Sequence, residues 1–238
     1  MEKILEINSL AKSFGNKKAL DGVNLEIPMG QISGLLGPNA SGKTTLLKTI
    51  AGLYHPSNGS IAYYNNAAAG AAARATISFC PDTMVFPPWM KVKDAFTFFS
   101  DLYPDYSADR AEKLIDILEL DEVLNNKVSS LSKGMKERLS FAVCLSRECI
   151  LYLLDEPLDG IDPVGKMKVI DAILAMKSDN ASILISTHLV KDIERILDNV
   201  FFLSKGKIIF SGSCDQMREE KNKTVEEVYL EVFSNEIA

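Results

Sequence analysis

Gly37-Pro38-Asn39-Ala40-Ser41-Gly42-Lys43-Thr44-Thr45 has the residue types and spacing of a polyphosphate cradle: a glycine, four residues, then Gly-Lys-Thr. Backbone N–H groups of such a loop converge on phosphate oxygens, the lysine neutralises the outer phosphates, and the threonine hydroxyl is placed to ligate magnesium. The helix expected to open at Gly42 aims the positive end of its dipole at the same anion. The expected ligand is therefore a nucleotide with its Mg2+. The pattern alone is shared by kinases, GTPases and motor ATPases, so the rest of the chain has to decide.

Two further stretches carry chemistry. In "CILYLLDEPLDGIDP" an apolar run from Ile150 to Leu154 reads as a buried strand, and Asp155 and Glu156 follow at its carboxyl end. Ligands bind at that end of an open parallel sheet. There Asp155 is expected to hold magnesium, and Glu156 to polarise an attacking water as general base. The competing reading is a solvated acidic turn. In "ASILISTHLV" His188 leaves another strand at the same edge, and is expected to hydrogen bond the γ-phosphate or the attacking water; alone, such a histidine is more often structural.

The elements that position these groups alternate. Strand signals occur at "KILEI", "QISGLLG", "TISFC", "CILYLLD", "ASILIST" and "NVFFLS", several of them the short apolar runs of buried parallel sheets. Between them, 43–51 is expected to be helical. Val92, Ala95, Phe96, Phe99 and Leu102 recur on one helical face, and "SADRAEKLIDILEL" forms a second amphipathic helix with Ser107 as N-cap and Leu114, Ile117 and Leu118 inward. The pattern predicts an α/β core with a helix-rich insertion between core strands. "NNAAAGAAARA", 65–75, is almost all alanine where its surroundings suggest a hairpin; alanine is a poor strand former, and no function is assigned to it.

With 238 residues, 47% of them hydrophobic, the chain can bury one substantial core. A net charge of −6 with no basic block gives no electrostatic footprint for nucleic acid, and no direct DNA or RNA partner is expected. Cys80, Cys144, Cys149 and Cys214 lack paired metal-ligand spacing and the start lacks a secretory h-region, which points to the cytoplasm. No apolar run approaches the ~18 residues of a membrane-spanning helix.

A helix is also expected to start near Ser132 in "SSLSKGMKERLSFAVCLSREC". Ser132 is its N-cap, Gly134 leaves a phosphate room to approach, and Leu139, Val143 and Leu145 form an apolar stripe. It is an anion site at a helix N-terminus. In order, the phosphate loop, "LSKGM" (131–135), "LLDEP" (153–157), "DGID" (159–162) and "STH" ending at His188 resemble the nucleotide-binding subunit of ABC transporters, over nearly the whole chain. "LSKGM" stands where that family has "LSGGQ". The nearest likeness is to a bacterial exporter-type branch.

The resemblance implies a P-loop NTPase core of mostly parallel sheet (about 1–86 and 150–215), an N-terminal antiparallel β subdomain, a helical subdomain carrying the signature (about 87–149) and a tail (about 216–238). It implies ATP and Mg2+, and an adenine-stacking aromatic at Phe14, for which core packing is the competing reading. It implies that Ser132, Lys133 and Gly134 act on ATP held by the opposite chain of a homodimer or heterodimer. Integral membrane subunits are the implied partners, with the chain peripheral on the inner face of the membrane. "TMVFPPWMKVKDAF", with Met84, Val85, Phe86, Trp89 and Met90, is the implied docking groove for their short cytoplasmic helix; the other reading is a cap on the insertion's own core. Asp82 stands where the family has glutamine, and Lys133, Met135 and Ala40 replace residues of the usual pattern; Asp82 is carried as a metal or water ligand. The rival function is a soluble ABC-type ATPase acting on the ribosome or DNA.

Overall fold

A computed structural model describes residues 2–64, 67–68, 71–221 and 223–237. The chain begins with β1 (Lys3–Phe14), β2 (Lys17–Pro28) and β3 (Ile32–Leu36), followed by α1 (Lys43–Ile50), β4 (Asn58–Tyr63), β5 (Ala67–Ala68), α2 (Ala71–Ala75) and β6 (Ile77–Cys80). Three helices follow, α3 (Val92–Leu102), α4 (Ala108–Ile117) and α5 (Lys133–Leu145), and then β7 (Leu151–Asp155), α6 (Pro163–Met176), β8 (Ser182–Thr187) and α7 (Val190–Ile193). The chain closes with β9 (Asn199–Ser204), β10 (Lys207–Ser213), α8 (Cys214–Lys221) and α9 (Val225–Ile237).

Among the described residues the strands form two sheets, an antiparallel one in the order β2-β1-β4-β5 and a six-stranded one in the order β10-β9-β3-β8-β7-β6. The second is parallel except at its β9–β10 edge. Its central strands read as unbroken apolar runs because both faces are covered. Alternation along each strand then splits the side chains. Leu35, Leu151, Leu153, Leu184 and Leu203 join α1 and the antiparallel sheet in one core, while Leu36, Tyr152, Leu154, Ile183, Ile185 and Phe202 join the helices of the other face.

The helical insertion shares that second core. Val92, Ala95, Phe96, Leu114, Leu118, Leu139, Val143 and Leu145 are buried in it, and Phe99 and Ile117 pack against it. Ser107 caps α4 by accepting from the Arg110 N–H. Leu102, expected on the inward face of α3, is 53% exposed: it is the last residue of the helix, beyond the reach of its neighbours. Helix α1 ends at Ile50, one residue short of the expected range. The expected hairpin exists as the antiparallel pairing of β4 with β5, Ala62 opposite Ala68; 65–66 and 69–70 lie outside the described residues.

A buried clamp ties the insertion to the sheet. Arg147, 6% exposed, donates to both Asp105 oxygens at 3.0 and 2.9 Å and to the carbonyls of Ile77 and Ala75 at 2.8 and 2.7 Å. Its guanidinium also lies 4.0 Å from the Tyr103 ring centroid. Burial alone would raise the Asp105 carboxyl, but hydrogen bonds from Arg147 and Cys149 outweigh it and hold the group below the usual carboxylate range. The pair therefore contributes stability above the ordinary carboxylate range that is lost as pH falls through Asp105's depressed value. Asp105→Ala is expected to cost about 1–3 kcal/mol, the larger part from stranding the guanidinium, and to lower the melting temperature by about 2–10 °C in a thermal melt at neutral pH.

Candidate active site

Strand order gathers the chemistry. β3, β8 and β7 are neighbours, with Leu36 opposite Thr187 and Asp155 opposite Ser186, so the phosphate loop, His188 and the Asp155–Glu156 pair leave the sheet at one edge. The phosphate loop is held by close backbone approach. A Cβ on Gly37 would press on the Leu203 carbonyl, and Gly42, at φ 114, lies in the left-handed region next to the Ala19 carbonyl. Gly42 is the N-cap of α1, and no side chain caps the helix, so its first N–H groups are left for a ligand. Pro38, Asn39 and Ala40 form an exposed apex, while Ser41 is buried. Ala40 sits at φ 63, a conformation that a glycine would adopt without strain.

Lys43 is 6% exposed, and its ammonium donates to the carbonyls of Gly37 at 2.8 Å and Pro38 at 3.3 Å while pairing with Glu156 Oε1 at 3.0 Å. Glu156 Oε2 faces His188 Nδ1 at 3.1 Å and accepts from the His188 N–H at 3.3 Å. Glu156 itself sits at φ 48, strained for a residue with a Cβ. Asp155, 1% exposed, accepts at Oδ1 from Ser186 Oγ at 2.5 Å and Thr44 Oγ1 at 3.2 Å. Its Oδ2 is buried with no hydrogen-bond partner. Burial raises the Asp155 carboxyl, against the two hydroxyl hydrogen bonds. An orphaned, buried carboxylate oxygen beside a threonine hydroxyl is a hard-oxygen donor set that fits Mg2+.

A cleft of about 670 Å³ contains 39–45, Asp82, Glu156, Asp159 and His188, together with Lys17, Lys18 and Lys205. Asp82 is exposed there and accepts from the Thr83 N–H; its charge is among those raising Asp155. Lys17, Lys18 and Ser186 are site residues that sequence reasoning missed: the two lysines belong to no motif, and Ser186 is hidden inside an apolar strand. Phe14 is not core. It is 46% exposed, edge-on to Tyr54 with centroids 5.2 Å apart, and pairs across the hairpin with Lys17, at the rim of the cleft.

The signature lies elsewhere. Ser132 caps α5, accepting from the Met135 N–H at 3.2 Å. Ser132 and Lys133 are exposed, Gly134 has open space where a side chain would stand, and none of the three lines the cleft of the phosphate loop, although Lys133 lines a smaller adjoining cavity with Asp82, Asp155, Glu156 and Asp159. The segment before α3 divides: Met84, Phe86 and Met90 pack on the core, while Val85 and Trp89 are 87% and 70% exposed. A separate groove of about 660 Å³ runs between the sheet and the insertion, past Leu53, Phe79, Met84, Phe99, Leu102 and Arg147.

This arrangement has counterparts. Residues 20–159 match the sequence pattern of the family described as ABC transporter. The chain is 32% identical over 228 residues to the Bacillus subtilis uncharacterized ABC transporter ATP-binding protein YhaQ, covering 93% of this chain and 76% of that one. It is 30% identical over 236 residues to the Streptococcus pyogenes lantibiotic transport ATP-binding protein SrtF, covering 98% and 97%. A solved structure of an ATP-binding subunit of an ABC transporter superposes with a TM-score of 0.85 at 26% identity, covering 97% of this chain and 99% of that one.

Proposed function

Because the chain belongs to the ABC transporter family, as an ATP-binding cassette subunit whose ATP hydrolysis drives transport, we propose that its own residues divide that work in two sites shared between two chains. Gly37 to Thr45 bind the phosphates, with Lys43 on the outer ones, and Phe14 stacks on adenine. Thr44 and Asp155 hold Mg2+, and Asp82 adds a carboxylate from the same cleft. The ion's chemistry is to neutralise charge on the transferring phosphoryl group. Glu156 takes the proton of the attacking water, and His188 steadies Glu156 and the terminal phosphate. The carrying observation is the direct contact of both carboxylates with the phosphate-loop helix, Asp155 with Thr44 at 3.2 Å and Glu156 with Lys43 at 3.0 Å.

Ser132, Lys133 and Gly134 complete the site on the opposite chain, which the absence of Ser132 and Gly134 from the lining of the chain's own cleft supports. The intact motif set allows a homodimer or a pair with a related chain. The apolar groove, with exposed Leu53 and Leu102 in its lining, together with exposed Val85, Trp89 and Phe98 of the helical insertion and the segment before it, receives a cytoplasmic helix of an integral membrane subunit. Among the described residues no helix is long and apolar enough to cross a membrane. Docking through that groove would hold the chain peripherally on the inner face of the membrane.

Lys43→Ala is expected to weaken ATP binding by about 10- to 100-fold, since charge-assisted contacts to the outer phosphates are lost. Equilibrium binding checks it; unchanged affinity removes Lys43 from the site. The coupling is tested by purifying the tagged chain from detergent-solubilised membranes. Recovery of a stoichiometric integral membrane protein, lost when Trp89 and Leu102 are changed to aspartate, is the expected result. Recovery of ribosomes or DNA instead would favour the soluble alternative.

A further inference from the structure

Ser186 is a fully buried hydroxyl in the apolar strand β8, between Ile185 and Thr187. A polar group in that setting is costly unless its hydrogen bonds are met. Its single proton goes to Asp155 Oδ1, at 2.5 Å. A lone pair of the same oxygen accepts from the Glu156 N–H at 3.3 Å, shared with the Ser186 carbonyl at 2.9 Å. One side chain therefore touches both members of the carboxylate pair, the first through its side chain and the second through its backbone.

The consequence for Asp155 is directional. With Ser186 and Thr44 both on Oδ1, that oxygen is occupied, and Oδ2 is the oxygen left without a partner. Thr44 belongs to the phosphate loop, whereas Ser186 is fixed by strand pairing directly opposite Asp155. At the next residue the hydroxyl and carbonyl of Ser186 together hold the N–H of Glu156, whose φ of 48 is unfavourable for a side chain. We propose that Ser186 is a positioning residue for Mg2+-ATP: its hydroxyl occupies one oxygen of Asp155 so that the other is presented to the cation, and anchors the backbone turn from which Glu156 projects. This rests on the assignment of Asp155 to Mg2+ made above.

The test uses the full chain, the imido-bridged non-hydrolysable ATP analogue, and Mn2+ as the metal. Free Mn2+ is followed by electron paramagnetic resonance, and analogue affinity is measured separately in chelator. Ser186→Ala is expected to weaken Mn2+ binding to the analogue-loaded chain about 10-fold, while metal-free analogue affinity stays within about 2-fold. Ser186→Thr and Ser186→Val add the same bulk and differ in the hydroxyl, so Thr is expected to retain Mn2+ better than Val. Equal Mn2+ affinity in parent and Ser186→Ala overturns the proposal. So does a matching loss of metal-free affinity, which marks a role in packing alone. If the unaltered chain shows no analogue-dependent Mn2+ binding, the metal assignment itself fails and takes this inference with it.

Discussion

Replacing Glu156 by glutamine is expected to leave a chain that binds ATP and does not turn it over. The amide keeps the shape of the side chain but cannot accept the proton of the attacking water, and loss of a general base typically costs about 10²–10⁴ in rate. The structure adds a second expectation. Glu156 Oε1 holds the Lys43 ammonium at 3.0 Å, so in the unaltered chain the outer phosphates compete with this carboxylate for the same cation. Removing the charge frees Lys43, and ATP affinity is expected to rise rather than fall. The variant should collect as an ATP-bound dimer on a sizing column. Hydrolysis close to that of the parent would place the base elsewhere, with Asp82, exposed in the same cleft, the first to test.

The second large effect is complementation between two dead chains. Ser132→Arg blocks the start of α5 with bulk, and Lys43→Ala disables the phosphate loop; each homodimer then has both sites damaged. In a mixed dimer, one composite site collects both lesions and the other joins an unaltered phosphate loop to an unaltered signature. One ATP trapped per mixed dimer is expected, counted in differently tagged, doubly purified dimers on a Glu156→Gln background. The structural motive is that Ser132 is exposed and Gly134 has open space beside it at the α5 N-terminus, while neither lines the chain's own cleft. Mixed dimers that hold no more nucleotide than the parent homodimers would mean that Ser132 and Gly134 serve their own chain.

What could be read from the chain was what a local pattern encodes. The apolar runs ending at Leu36, Asp155 and Thr187 became neighbouring strands, and Ser107 and Ser132 cap the helices they were expected to cap. The strands β2, β4 and β10 were not named from sequence. β2 is interrupted by Gly22 and shifts register repeatedly against β1, which blurs the period-two signal, and β4 offers only one buried aliphatic residue, Ile61, before Tyr63. The Asp105–Arg147 clamp joins residues 42 apart in sequence, where no spacing rule applies. Phe14 was undecidable as a letter; its exposure beside Tyr54 removes the core reading. Ser186 looked like strand filler because its partners lie on another strand.

The central strands carry a problem that their burial creates. β7 and β8 are buried at every position, so sliding one past the other by a residue would expose no apolar side chain, and hydrophobicity discriminates poorly between alignments. Such a slip would nonetheless replace Asp155 opposite Ser186 by Leu154 or Glu156. The tie is broken by the few polar atoms in the sheet. Ser186 meets Asp155, the Tyr152 hydroxyl donates to the Arg147 carbonyl and accepts from the Cys149 N–H, and the Ser182 hydroxyl donates to the Pro28 carbonyl and accepts from the Gly30 N–H. The first of these spans β7 and β8 and would be broken by a one-residue slip between them, leaving a buried hydroxyl and carboxylate oxygen unpaired; the other two tie each strand to chain outside the pair. They act as dowels, converting an indifferent stack of greasy strands into one with a preferred alignment, in which Asp155 and Glu156 fall at the edge where the phosphate loop lies.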